Sequence, residues 1–316
     1  MNKRSLIGLH LLTLVILLAY ACNEPSKNVP PRSAEPENST PVKATYNSPK
    51  LSDEFKAYWY AGEAEITSYE LKQARYGEIR EGNSTLIFVT EPFLKFKQVK
   101  ADGKKKSNVP VLKLNSTKNY LTGIYPYSIM SSSFYPLRDL KHAIKLSTSV
   151  QEWCGHVYVQ LNNRENFDIK SHSYFENEAD QEIKLDKNYL ENELWNMIRV
   201  WPEELPLGEI KLIPSLEHLR MAHKEIKAYT ATTSLEENGN LNIYKIHYPD
   251  LERTLSIHFS SAFPYSIEGW EEETVGGYGE NKKKLISSAK KIKRIKSPYW
   301  RQNSNADIIW RDSLGL

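Results

Sequence analysis

Along most of the chain, apolar side chains recur at every second position instead of at helical spacing. In Leu241–Tyr248 one side carries Leu241, Ile243 and Lys245, the other Tyr244, Ile246 and Tyr248, a period of two that predicts a strand. Similar runs, separated by turn residues, predict strands over 63–73, 75–90, 93–99, 109–115, 119–135, 142–151, 154–162, 167–175, 179–185, 224–235, 253–260 and 264–271. Residues 102–108 read as a hairpin tip. Helical signals are few. Ser52 is a good N-cap for a short helix ending near Gly62, Leu190, Leu194, Met197, Ile198 and Trp201 make one stripe over 188–201, and Leu216 and Leu219 suggest a short helix at 215–222. In the lysine-rich 282–296, Ile292 and Ile295 suit a helix better than a strand. Many short strands without a βαβ rhythm predict a mainly β (β-dominated α+β) fold. The expected form is an extended, curved or partly closed antiparallel sheet with a few short helices, one or two of them on its concave face. Residues 51–316 form one domain in this reading; the alternative breaks it near 186–206.

The first fifty residues follow other rules. Lys3 and Arg4 precede an apolar run over 6–18, then Ala19, Tyr20, Ala21 and Cys22. This is the layout of a secretory signal, and the run is shorter than the about 20 residues of a membrane span. A small residue directly before Cys22 resembles the bacterial lipobox, although Tyr20 departs from its usual small residue. The expectation is therefore a signal peptide over 1–21 and acylation of Cys22, with palmitate among the chains. Asn23 supplies no inner-membrane retention signal of the enterobacterial type, so the outer membrane is the expected address. Residues 23–50 carry Pro25, Pro30, Pro31, Pro36, Pro41 and Pro49 in a polar stretch that reads as a tether, reaching ~3 Å per residue where extended.

Composition narrows the function. The whole chain of 316 residues has 42 basic and 39 acidic side chains. Removal of Lys3 and Arg4 with the signal leaves 40 against 39, a net charge of +1. Such a balance excludes a dedicated nucleic-acid binder. With Cys22 acylated, Cys154 is the single thiol left, and an internal disulfide is impossible.

Candidate chemistry is sparse. Cys154 and His156, two apart on an expected strand, would share a face and make a thiolate–imidazole pair, but no partner completes the set. The alternative is a small buried cysteine beside a structural histidine. His218 and His223 are five apart, not four, and His247 and His258 are expected to face each other across a hairpin. No metal-ligand set or cofactor motif is found. Glu268, Glu271, Glu272 and Glu273 precede a basic run over 281–301, read as a lysine-protected edge strand or as a contact with lipid phosphates. The better binding candidates are aromatic: Tyr125, Tyr127, Tyr135, Trp153 and Trp270, with His156 beside Trp153.

At 58–65 (YWYAGEAE), 151–156 (QEWCGH), 297–307 (SPYWRQNSNAD) and 311–314 (RDSL) the chain resembles an uncharacterised lipoprotein family of Bacteroidota-type bacteria. Its members often carry the label septum formation inhibitor Maf, and the likeness spans nearly all of 51–316. The resemblance implies an envelope lipoprotein and supplies no catalytic residues. The nucleotide pyrophosphatases bearing that label have a mixed α/β fold and open with a Ser-x-Ser-x-Arg-Arg type motif, which does not occur here. The leading expectation is a non-enzymatic, lipid-anchored envelope protein that binds a lipid, a glycan or a protein partner. The alternatives are an envelope enzyme using Cys154 and His156, and a Maf-like pyrophosphatase.

Overall fold

A computed structural model describes residues 49–316 save 104, 139–140 and 277–281. The signal, Cys22 and nearly all of the expected tether lie outside the described residues. Every described element belongs to one compact unit, Ala44–Leu316. Sixteen strands form one sheet. In chain order they are β1 (Ala64–Arg75), β2 (Glu78–Leu94), β3 (Val99–Lys100), β4 (Val109–Thr122), β5 (Tyr125–Pro136), β6 (Lys145–Glu152), β7 (Gly155–Asn163) and β8 (Phe167–His172). There follow β9 (Gln181–Leu185), β10 (Tyr189–Leu190), β11 (Gly208–Ile213), β12 (Tyr229–Asn238), β13 (Leu241–Tyr248), β14 (Arg253–Ser260), β15 (Ile267–Gly276) and β16 (Lys283–Ser297). The helices are α1 (Asp53–Trp59), α2 (Glu191–Val200), α3 (Leu216–Met221) and α4 (Ile309–Leu314).

The strand order is 10-11-12-13-14-15-16-1-2-4-5-6-7-8-9, with β3 attached to β2. Neighbours are antiparallel except β10 and β11, which run parallel with α2 as their crossover. The two edges, β9 and β10, are consecutive in sequence and separated only by 186–188. Three residues span about 10 Å at most, so the sheet must curl until its edges nearly meet. The expected antiparallel, curved sheet is what forms. Residues 186–206 mark the seam of that curl, within a single compact unit.

Alternation sorts the side chains. Phe88, Leu86, Tyr69, Leu71, Leu112, Leu114, Leu146, Val159 and Ile257 point to the inner face, where Leu194, Met197, Ile198, Leu216 and Leu219 of α2 and α3 meet them in the main core. A small second core, Ala64, Ile66, Val89 and Leu314, occupies the opposite face. At about 25 cal/mol per Å² of apolar area removed from water, such alternating burial specifies register.

Four local expectations change. Residues 282–296 form a strand, β16, not a helix; the register slips opposite Ser68/Tyr69, which leaves Ile292 unpaired in a bulge. β16 also lies between β15 and β1, so it is not the lysine-protected edge. Residues 95–98 form a turn, not strand, with Gln98 at φ 54. His258 stands opposite Ile243 and His247 opposite Thr254, so the two histidines do not face each other.

Candidate functional site

Although α2 and α3 cover the inner face, they leave a cavity of about 1370 Å³ beneath them. Position along each strand decides which residues reach it. On β14, Arg253 takes the inward parity shared by Leu255, Ile257 and Phe259; on β15, Glu272 follows Trp270 by two; on β4, Lys118 follows Leu114 and Ser116. The apolar wall includes Leu86, Leu114, Leu255, Trp195 and Trp270, the two indoles meeting edge to face at 5.3 Å. Residues Ser131 to Ser133 of β5 line it too.

A charged network crosses the cavity wall. The Arg253 guanidinium donates to both Glu191 oxygens, at 2.5 and 2.8 Å, and through Nε to Glu272 Oε1 at 2.5 Å. Tyr248 Oη donates to Glu191 at 2.7 Å. His218 Nδ1 lies 3.3 Å from Glu272 Oε1, and Lys118 Nζ donates to Glu217 at 2.7 Å. Burial alone would raise Glu191 and Glu272, but the Arg253 charge and hydrogen bonds outweigh it and hold both below the carboxylate range. Burial would likewise lower Lys118, but Glu217 and Glu272 keep it above its ordinary value. For His218, burial and then the Arg253 charge win over the pull of Glu272, and the imidazole is held below its ordinary value. His218 Nε2 has no partner among the described residues. The pair therefore has a base and an orienting carboxylate but no hydroxyl or thiol nucleophile bonded to the base.

Hairpin tips at one end of the strands form the mouth. Tyr76 of the β1–β2 turn, Glu152 at the end of β6, Cys154 of the β6–β7 turn, Asp250 of the β13–β14 turn and Lys282 before β16 all border the cavity. Arg75 is tied there to Met221 O at 2.9 Å and Tyr127 Oη at 3.2 Å, and Tyr76 Oη shares a 2.8 Å bond with Tyr127 Oη.

The six sequence candidates separate into different places. Tyr127 and Trp270 line the cavity. Tyr125 and Trp153 meet at the rim with ring centroids 6.5 Å apart, and Trp153 is 69% exposed. Tyr135 is a core residue packed edge to face on Trp201. His156 is exposed on the face opposite Val157, a main-core residue, and so points away from the cavity. Cys154 is neither buried nor on a strand: it sits exposed in the β6–β7 turn, its amide donating to Glu152 at 2.6 Å. Hydrogen bonding to Glu152 and that charge push its thiol up, which disfavours the thiolate. The shared-face Cys154–His156 pair does not form. Sequence reading missed Glu191, Arg253 and Lys118, and named His218 and Glu272 only in other settings; for Arg253, Glu272 and Lys118 the available signal was a charged residue at the inward parity of an otherwise apolar strand. Among the described residues no cluster of three or more metal-ligating side chains occurs, and no helix is long and apolar enough to cross a membrane.

No protein-family model matches the chain, and no curated protein does. Among solved structures, the chain is similar to a beta-barrel-like protein of the domain of unknown function DUF1849 from Brucella abortus. The two share 8% identity with a TM-score of 0.38, over 74% of this chain and 98% of that one.

Proposed function

We propose that this is a lipid-anchored cell-envelope protein, acylated at Cys22 and held at the outer membrane through residues 23–50. In this reading its β domain binds an amphipathic ligand, a lipid or a lipid-linked glycan, without transforming it. The observation that carries the reading is the cavity kept open on the inner face. Its volume of about 1370 Å³ exceeds the ~300–1,000 Å³ of ordinary small-molecule sites. Leucine and tryptophan walls beside the Arg253–Glu191–Glu272 network suit a ligand with an apolar body and a polar head. Native mass spectrometry of the membrane-extracted protein, with lipid analysis of what is released, tests this. A reproducible bound amphiphile is expected, lost in Leu114→Trp and Leu255→Trp, together with palmitate labelling lost in Cys22→Ala. An empty protein that co-purifies with a stoichiometric protein partner refutes it.

A further inference from the structure

The basic end of the chain needs a reason other than edge protection, because β16 is an interior strand. Part of its charge is matched: Lys284 pairs with Glu273 at 2.9 Å, Lys291 with Glu268, and Lys296 with Glu63 at 3.5 Å. Lys293, Arg301 and Arg311 have no ion pair among the described residues, and Lys290 stands opposite Glu70 without forming one. Residues 290–316 hold seven basic and two acidic side chains. One of the acids, Asp307, is engaged in a capping box with Ser304.

Beyond β16 the chain folds back on the outer face. Tyr299, Leu314 and Leu316 pack on Ala64, Ile66 and Val89, and Ser68 Oγ donates to the Leu314 carbonyl. With Leu314 spent inward, the other large apolar side chains of this segment face solvent: Ile308 is 63% exposed, Ile309 61%, Trp310 42% and Trp300 43%. Scattered single apolar residues on a surface need no explanation. Four within eleven residues, interleaved with unpaired cations, combine the two features of a membrane-interface segment, apolar aromatic insertion and attraction to anionic headgroups.

Position adds a third observation. Ser297 pairs with Ala64, and Lys296 Nζ donates to the Tyr58 carbonyl at 2.8 Å. The patch thus runs over the outer face from the point where α1 leads the chain into β1 to Ser68, near the middle of that strand. The cavity mouth is at the far end of β1, at Arg75 and Tyr76, about 23 Å beyond Ser68.

We propose that Trp300, Ile308, Ile309 and Trp310, with Lys293, Arg301 and Arg311, dock on an anionic lipid bilayer, leaving the mouth of the cavity uncovered. This surface is separate from the acyl anchor, so the test removes the anchor. The probe is the chain from residue 22 with Cys22→Ser, which retains the whole Ala44–Leu316 unit. It is floated with vesicles of phosphatidylglycerol and phosphatidylcholine, and with phosphatidylcholine alone. Flotation is expected only with the anionic vesicles and falls steeply with salt as the Debye length shrinks to about 3 Å at 1 M. Arg301→Gln with Arg311→Gln lowers the partition coefficient roughly thirtyfold. Ile309→Ser weakens it as well, both variants keeping the wild-type melting curve. Brominated lipids quench the tryptophan emission, and Trp300→Phe with Trp310→Phe removes that quenching. Equal binding to both vesicle types, or insensitivity to these substitutions, overturns the proposal. Concentration-dependent self-association abolished by Ile309→Ser, without vesicle binding, also overturns it in favour of a protein contact.

Discussion

Arg199 offers the sharpest test of how the helical cover is held on the sheet. It projects from α2 into the core, fully buried, and donates to both oxygens of Glu65 on β1, at 2.7 and 2.8 Å, and to the Pro264 carbonyl at 2.9 Å. Its guanidinium lies 4.9 Å from the Trp59 ring centroid and 4.6 Å from that of Phe88. Tyr58 Oη gives Glu65 a third hydrogen bond at 2.5 Å. Burial pushes the Glu65 carboxyl up, but the Arg199 charge and hydrogen bonds, with Tyr58, bring it below its ordinary value. In Arg199→Met the methylenes are replaced, and the carboxylate is left buried with Tyr58 alone. Breaking a buried pair in this way costs ~3–5 kcal/mol. At ~2–4 °C per kcal/mol for a domain of this size, the melting temperature should fall by roughly 6–20 °C.

The double variant Glu65→Leu with Arg199→Met separates the pair from its packing. A buried ion pair is worth little net against apolar residues of similar volume, so the double variant should recover most of the loss. The single variant's loss should also shrink in mild acid, because Glu65 without Arg199 takes up a proton. Urea and thermal unfolding followed by circular dichroism read both effects, with an unchanged m value as the check on two-state behaviour. A fall of less than ~3 °C in Arg199→Met, or a double variant no more stable than the single, refutes this account of how α2 is fastened.

Three further outcomes follow from the cavity, its rim and the close approach of two strands. Glu191 and Glu272 are held below the ordinary 4.5, so their stabilisation is present above that value and lost as pH falls through the folded values. His218 is held below its ordinary 6.5; its neutral form likewise adds stability above 6.5 that is lost in acid. Melting temperature should therefore drop steadily below about pH 6.5, with His218→Gln flattening the part nearest neutrality. Cys154 should be modified by a disulfide reagent without denaturant yet slowly at neutral pH, and Glu152→Gln should speed the reaction by freeing the thiolate. In Gly82→Ala the new Cβ would stand 2.2 Å from the Asn119 carbonyl of the neighbouring strand, and urea unfolding should register a loss of about 1–3 kcal/mol.

Most of the strand content was legible because most strands have one face on a core, so period-two patterning survives in the sequence. It failed where that condition failed. In β16, Lys290, Lys291, Lys293, Arg294 and Lys296 mask the alternation, and the bulge at Ile292 shifts its phase. The short β10 and β11 at the seam contribute Leu190, Leu212 and Ile213 to the core, too few positions for a pattern. The candidate site was legible in its aromatic part, Tyr127 and Trp270. It was illegible in its charged part because Glu191 meets Arg253 across 62 residues of chain. Such pairs form only once the sheet has curled.

The same curl explains why the interior holds charge. A flat sheet with two covering helices would bury its inner face against them. Here β9 and β10 are brought together by the 186–188 link, and the enclosed space is wider than α2 and α3 can fill. Apolar side chains form part of its wall and much of the contact with the helices. Where the walls stand too far apart for leucine to meet leucine, Arg253, Glu191, Glu272 and Lys118 reach across instead, their long side chains bridging strand to helix. A charged side chain in that position costs desolvation, but each one is matched by an opposite charge within 2.8 Å, which keeps the cost from being prohibitive. The cavity and its network are thus two results of one topological fact, the near meeting of the sheet's edges. Lengthening the 186–188 link with glycine and serine relaxes that constraint. It should loosen the amides of β9 and β10 first in hydrogen exchange, and protection there unchanged by the insertion would show that the seam is held by α2 alone.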